Sequence, residues 1–311
     1  MDMTRKQAHI ITLANIKGGV GKTTATVNIA FLLSRKYGKR VLVVDADDQG
    51  NAGKALGIRE NFDRDAETLW YALNNKRSYK DVIVESPHKN IWVIPATKEL
   101  KGAQLAFGQS ARGMKLFKKM FAGVENDFDF VLIDTKPQVN ILLQAALAAS
   151  NWYLIPSFPE SDSYDGFIDL IAECEEIRDA ENEQLACLGV LFTCLKKSAA
   201  HETYLEFVRK HLRKAKINCF NTAIRTSNAV ASGSLSGLPA VALSSSRSLL
   251  EDYLSVTEQI VKIVSQKNRK KSHPDLRVLG LEASSSAETP TAISFDLNDQ
   301  VSDQLEFNKG N

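Results

Sequence analysis

Short, largely apolar runs alternate along this chain with longer stretches in which apolar residues recur every three or four positions. The runs lie at 9–14, 41–44, 91–94, 130–133, 152–155 and 188–192. A run that is apolar at every position suits a strand buried on both faces, as in the middle of a parallel sheet. The longer periodic stretches predict helices over 22–37, with Gly38 placed to end the first, and near 98–120, 138–150, 163–179, 200–214 and 247–264. In the last of these, Leu250, Leu254, Thr257, Val261 and Val264 recur at three- and four-residue steps, which predicts one apolar face. Strand–helix alternation of this kind predicts an α/β fold with a mostly parallel central sheet and helices on both faces.

Composition narrows the class. The 311 residues are 44% hydrophobic and 24% charged, which fits one large globular domain with a tail and excludes a collagen-like, coiled-coil or wholly disordered chain. No stretch approaches the roughly 18 uninterrupted apolar residues of a membrane helix, and the polar residues 1–9 lack the apolar core of a secretion signal. Cys174, Cys187, Cys194 and Cys219 form no C-x-x-C pair, so reduced thiols in a cytoplasmic protein are expected.

The net charge of +2 hides a gradient. Residues 1–188 carry −2, residues 189–277 carry +9 and residues 278–311 carry −5. The basic third is suited to a polyanion. The composition changes after residue 265: a basic cluster of Lys267, Arg269, Lys270 and Lys271 gives way to a Ser-, Asp- and Glu-rich stretch with few apolar residues. Such a stretch buries too little apolar surface to offset its ordering entropy. The expected organisation is a folded domain over 1–265 and a basic-then-acidic disordered tail over 266–311.

The strongest chemical signal is Lys17-Gly18-Gly19-Val20-Gly21-Lys22-Thr23-Thr24, set between an apolar run and a helical stretch. Glycines let the backbone curl so that several N–H groups point at phosphate oxygens. The following helix adds its positive end. Lys22 supplies a cation for the outer phosphates and the Thr23 hydroxyl can ligate Mg²⁺. Asp45, Asp47 and Asp48 follow the second apolar run and Asp134 ends the fourth, so these carboxylates fall at strand ends where such sheets bind ligands.

Lys17, five residues before Lys22, makes the pattern more specific: KGGVGKTT resembles the deviant P-loop of the ParA/MinD class of ATPases. The resemblance spans roughly residues 8–264 and is closest to the short, Soj-like partition type. It implies a P-loop NTPase fold, ATP and Mg²⁺, weak basal ATP hydrolysis and a homodimer when ATP is bound. It implies that Lys17 reaches the partner subunit's phosphates and that Asp47 places the attacking water, making Lys17, Lys22 and Asp47 the catalytic set. Thr23, Asp45 and Asp134 would form the metal shell, and Thr193 and the Pro159 region would lie near adenine. It also implies non-specific DNA binding on the nucleoid by the basic third, with Lys196, Lys197, Lys214, Lys216 and Arg225 as candidate contacts. A centromere-binding or cargo-adaptor protein would stimulate hydrolysis.

The alternative within the class is a MinD-like membrane-cycling ATPase, which needs a terminal basic amphipathic helix. The chain ends in an acidic Ser-rich stretch instead, so membrane insertion is not expected. A nitrogenase-reductase-like carrier would need cysteines beside these motifs, and the four cysteines lie elsewhere. Two positions depart from the family pattern: Asp48 and Lys136 stand where prolines are usual. Lys136 is read either as neutral surface variation or as a residue that alters hydrolysis or couples the site to a partner.

Overall fold

The computed structural model describes residues 7–58, 67–108, 112–160, 162–196, 198–243, 245–266, 273–279 and 281. Seven strands form one sheet: β1 (His9–Leu13), β2 (Val41–Ala46), β3 (Val84–Glu85), β4 (Ile91–Ile94), β5 (Phe130–Thr135), β6 (Trp152–Ser157) and β7 (Ala186–Phe192). The order is β3-β4-β2-β5-β1-β6-β7, parallel except for the two-residue β3. This is the fold class expected from the alternation of strands and helices.

The burial pattern explains the apolar runs. Val41 and Val43 point into one core layer while Leu42 and Val44 point into the other. The first layer lies under α1 (Lys22–Tyr37) and α10 (Arg247–Val264). The opposite face is covered by α3 (Leu69–Asn74), α5 (Leu116–Met120) and α6 (Ile141–Ala149), and further along by α7 (Asp162–Glu181) and α8 (Ala199–Lys214). Helix α1 ends at Gly38, whose left-handed φ of 62° lets the amides of Gly38 and Lys39 close back on Ser34 and Leu33.

Several local readings change. The stretch 98–120 is a series of short pieces, including 3-10 turns at Lys98–Gly102 and Gly113–Lys115 and the helices α4 (Ala103–Phe107) and α5. Three glycines in that stretch, Gly102, Gly108 and Gly113, lack side chains to pack, which weakens a continuous helix. The short helices α2 (Asn51–Ala55) and α9 (Ala229–Ser236) were not legible from periodicity. In α10 the fully buried stripe is Leu249, Tyr253, Val256, Ile260 and Val264, while Leu250, Leu254 and Val261 sit on its shoulder. Thr257 and Val264 of the expected face are buried, but Leu249, Tyr253, Val256 and Ile260 take the central places expected of their neighbours, and the face is spent on the core.

Beyond β7, residues 218–226 run alongside its outer edge. Val190 pairs with Cys219 and Leu195 with Arg225 in parallel bridges, and the amide of Ile224 donates to Phe192 O at 2.8 Å. Gly189 is required where this segment crosses: its φ is 144°, and a Cβ there would lie 2.8 Å from Asn218 O. Past α10, the described residues of the segment expected to be tail return to the fold. Leu276, Leu279 and Leu281 pack on the α7–α8 layer, and the Asp275 amide donates to Ala215 O at 2.8 Å. The 267–271 cluster and residues 282–311 lie outside the described residues.

Candidate functional site

The ends of β1, β2 and β5 meet at one point because the strands pair in register. Leu13 stands beside Asp134, and Asp134 beside Asp45. The loop 14–21 leaves β1 there and turns into α1. Gly19 (φ 74°) and Gly21 (φ 78°) take left-handed conformations that a side chain disfavours, and Gly21 caps the helix. Gly18 has open space around it, Val20 is buried beneath the loop and Thr24 is half-buried on the first helical turn.

Lys22 is buried, and its ammonium donates to the carbonyls of Asn15 and Lys17, each at 3.0 Å. Its Nζ is therefore held under the curl of the loop. Burial pulls its pKa down to about 8, against the opposing pull of Asp134 and Asp47. The Thr23 hydroxyl donates to Asp134 Oδ2 at 2.6 Å, and Thr26 donates to Oδ1 at 3.3 Å. Asp45 is fully buried; its Oδ2 accepts from the Gly53 amide at 3.0 Å and its Oδ1 from the Asp47 amide at 3.3 Å. Burial, then the neighbouring Asp134, push the Asp45 carboxyl well above its ordinary range. Burial also raises Asp134, with Thr23 and Lys22 pulling it back.

Asp47 is half-buried at the mouth, and its Oδ1 accepts from the Gln49 amide at 3.1 Å. Lys17 stands on the open side of the loop. Its amide donates to Asn15 Oδ1 at 2.9 Å, and its stem runs over Gly166 of α7, where a Cβ would lie 3.4 Å from Lys17 Cγ.

The structure thus brings Lys22, Thr23, Asp45, Asp47 and Asp134 together, with the Lys17 carbonyl on Lys22 and the Lys17 side chain along α7. Hydroxyl and carboxylate oxygens of this kind suit a hard divalent cation. Among the described residues, no group of three or more His, Cys, Asp or Glu forms a metal cage, so further ligands for such a cation would come from phosphate and water oxygens.

Two supporting residues, Asn15 and Thr26, escaped the sequence reading, and a third, Thr193, was expected near adenine. Asn15 ties the loop to β6 by donating to Pro156 O at 2.7 Å. Thr26 supplies the second hydroxyl on Asp134, and its place one turn after Thr23 was a usable signal. Thr193 is buried behind the loop rather than open to a base: its hydroxyl donates to Val20 O at 2.9 Å and lies 3.2 Å from Ser157 O.

The basic candidates are not gathered. Helix α8 runs about 24 Å at 1.5 Å per residue and reverses the direction of β7. Lys196 precedes it at the phosphate-loop end of the sheet, while Lys214 and Lys216 lie at the far end. There they join Arg209 and Arg213; Lys216 and these two arginines line a cleft of about 600 Å³ with Asn218 and Asn221. Arg225 is occupied. Its Nε and Nη2 donate to the two oxygens of Asp252 at 2.9 and 2.7 Å, and its amide adds a third bond at 3.0 Å. Lys197 lies outside the described residues.

Comparison with known proteins gives the family of the chain and its fold. A family model described as an AAA domain matches residues 8–187. The chromosome partitioning protein ParA of Caulobacter vibrioides is 31% identical over 212 residues, which cover 67% of this chain and 78% of that one. The chromosome-partitioning ATPase Soj of Thermus thermophilus is 36% identical over 191 residues, covering 61% and 71%. Among solved structures, an ATP complex of a variant of Cyanothece McdA superposes with a TM-score of 0.72 at 21% identity, covering 82% of this chain and 96% of that one, a likeness of fold. With its phosphate loop, its second lysine and its paired strand-end carboxylates in these positions, the chain belongs to the ParA/Soj family of deviant Walker A P-loop ATPases.

Proposed function

We propose that the protein is a partition or positioning ATPase that hydrolyses ATP to ADP and phosphate. The reading rests on one observation above all: Lys22, Thr23, Asp45, Asp47 and Asp134 converge at the ends of three adjacent strands, with a second lysine, Lys17, on the open side. Amides of the loop 17–24 and the positive end of α1 would bind the phosphates. Thr23, Asp45 and Asp134 would hold Mg²⁺, which when bound neutralises charge on the phosphates. Asp47 would orient the water that attacks the terminal phosphorus as the bond to the bridging oxygen breaks. Lys22, and Lys17 from the partner subunit, would stabilise the charge on the departing group.

ATP would close a homodimer, and the dimer would bind DNA of any sequence through pooled cations, placing the protein on the nucleoid in the cytoplasm. A centromere-binding or cargo-adaptor protein would stimulate hydrolysis and release it. The apolar face of α10 is turned into the core rather than left to lie on a bilayer surface, which weighs against the membrane-cycling alternative.

The test is sedimentation of the purified chain with and without ATP and Mg²⁺, beside binding to duplex DNA and to anionic vesicles. An ATP-dependent dimer that binds DNA supports the proposal. Binding to vesicles alone moves the protein to the membrane-cycling class, and an ATP-insensitive monomer overturns the reading.

A further inference from the structure

The two residues that the resemblance left unexplained are bonded to each other. Lys136 Nζ lies 2.5 Å from Asp48 Oδ2 across 88 residues of sequence, and Gln49 Nε2 donates to Asp48 Oδ1 at 2.6 Å. The Asp48 side chain is 3% exposed and that of Lys136 31%. A carboxylate so buried is costly unless a cation and hydrogen bonds satisfy both oxygens. Both oxygens are satisfied here, so the position of the turn after β2 depends on a lysine that follows β5.

The placement matters because backbone pairing stops just short of it. The β2–β5 register runs to Ala46 and Thr135 and ends there. Thr135 is anchored in turn by its hydroxyl, which donates to Leu13 O at 2.7 Å, so Lys136 projects from a fixed strand end. On the other side, Asp47 lies between Asp45, which accepts its amide, and Asp48. The turn is closed by the Gly50 amide on Asp47 O at 3.0 Å and by Lys54 Nζ on Gln49 O at 2.8 Å. The ion pair therefore carries the connection between the two strands past the last backbone pair, at the residue next to Asp47. It also commits the Lys136 charge to Asp48.

We propose that the Lys136–Asp48 ion pair is a latch that holds the Asp47 turn against the end of β5, making Lys136 and Asp48 positioning residues for ATP hydrolysis. This rests on the role proposed above for Asp47, and it leaves ATP binding to the phosphate loop. Neither residue touches the reacting atoms.

The experiment compares the full-length parent with Lys136→Met, Lys136→Arg, Asp48→Asn and the exchanged pair Asp48→Lys with Lys136→Asp. ATP dissociation constant, kcat and KM are measured, together with amide hydrogen exchange at residues 47–50. Lys136→Met should lower kcat about tenfold with the ATP dissociation constant within twofold of the parent, and amides 47–50 should exchange at least tenfold faster. Lys136→Arg should keep most of kcat, and the exchanged pair should recover part of it. Asp48→Asn leaves no unpaired buried charge and should still lose kcat, which separates the latch from misfolding of Lys136→Met.

Unchanged kcat and unchanged exchange in both Lys136→Met and Asp48→Asn overturn the latch. So does a loss of kcat matched by an equal loss of ATP affinity, or an arginine variant no better than methionine. If the parent itself neither binds nor hydrolyses ATP, the enzymatic reading above fails, and the exchange at 47–50 still decides whether the pair holds the turn.

Discussion

Thr23 on α1 and Asp134 at the end of β5 are joined by a 2.6 Å hydrogen bond, so the first turn of the helix is pinned to the strand that faces it. Thr26, one turn later, holds the other oxygen of the same carboxylate. The two hydroxyls have different consequences. Thr23→Val should abolish Mg²⁺-dependent ATP binding, because the hydroxyl is both the pin and a proposed metal ligand. Thr26→Val removes that contact and the 3.0 Å bond from the same hydroxyl to Lys22 O, leaves the Thr23 pin in place, and should cost about 1 kcal/mol of stability, the ordinary net worth of a buried hydrogen bond. Urea unfolding and nucleotide titration of both variants check this pair of outcomes.

Lys22 is expected to give nucleotide affinity an alkaline limit. Its pKa is lowered to about 8, so the ammonium is intact at pH 7 and is lost as pH rises through that value in the empty protein. ATP affinity should fall between pH 7 and 9.5, with proton uptake on binding at the alkaline end. Lys22→Ala should bind ATP weakly at every pH. Calorimetry in two buffers of different ionisation enthalpy measures the uptake; an affinity independent of pH across that range contradicts the assignment.

Asp45 carries a stability cost in the nucleotide-free protein. Its folded pKa is raised to about 8 from an ordinary value near 4, so in that window the folded chain binds more protons than the unfolded one. Stability attributable to this group therefore falls as pH rises through the window. Asp45→Asn keeps an oxygen for the Gly53 amide and removes the charge beside Asp134. It should raise Tm at pH 8 by on the order of 2–4 °C for each kcal/mol relieved, with a smaller rise at pH 5. Scanning calorimetry at the two values tests it, and a lower Tm at pH 8 would sink the idea.

Arg225 should behave as a structural residue. Removing it leaves Asp252, 6% exposed, with no guanidinium, so Arg225→Ala should cost about 3 kcal/mol. Replacing Arg213 and Lys216 at the open cleft should cost little stability. If the cleft meets DNA, that change should reduce the salt dependence of binding by about 0.9 in log–log slope per lost phosphate contact. Filter binding between roughly 50 and 200 mM salt, run beside thermal melts, separates the two behaviours.

The strands were readable because a run such as 41–44 is buried on both faces and leaves no choice of side. The phosphate loop was readable because its chemistry is local, from Lys17 to Thr24. What was not readable depends on contacts distant in sequence. Thr193 reaches Val20 across 173 residues, and Lys136 reaches Asp48 across 88. The phase of α10 was read only in part: Thr257 and Val264 are buried as expected, but Leu250 and Leu254 are apolar without being central, and the tertiary packing of the core favours Leu249 and Tyr253. The boundary drawn at residue 265 followed composition, and composition does not reveal that Leu276 and Leu279 pack against the core layer that includes α7 and α8.

Among the described residues, neither margin of the sheet presents a long free strand. At one, β3 is only two residues long and antiparallel to its neighbour; at the other, residues 218–226 already occupy the hydrogen-bonding side of β7. A long free edge is what allows one chain to extend another's sheet, and this architecture withholds it. Copies of the protein held at high local concentration therefore lack a ready route to strand-by-strand fibre growth, and any association between them is left to side-chain surfaces and loops.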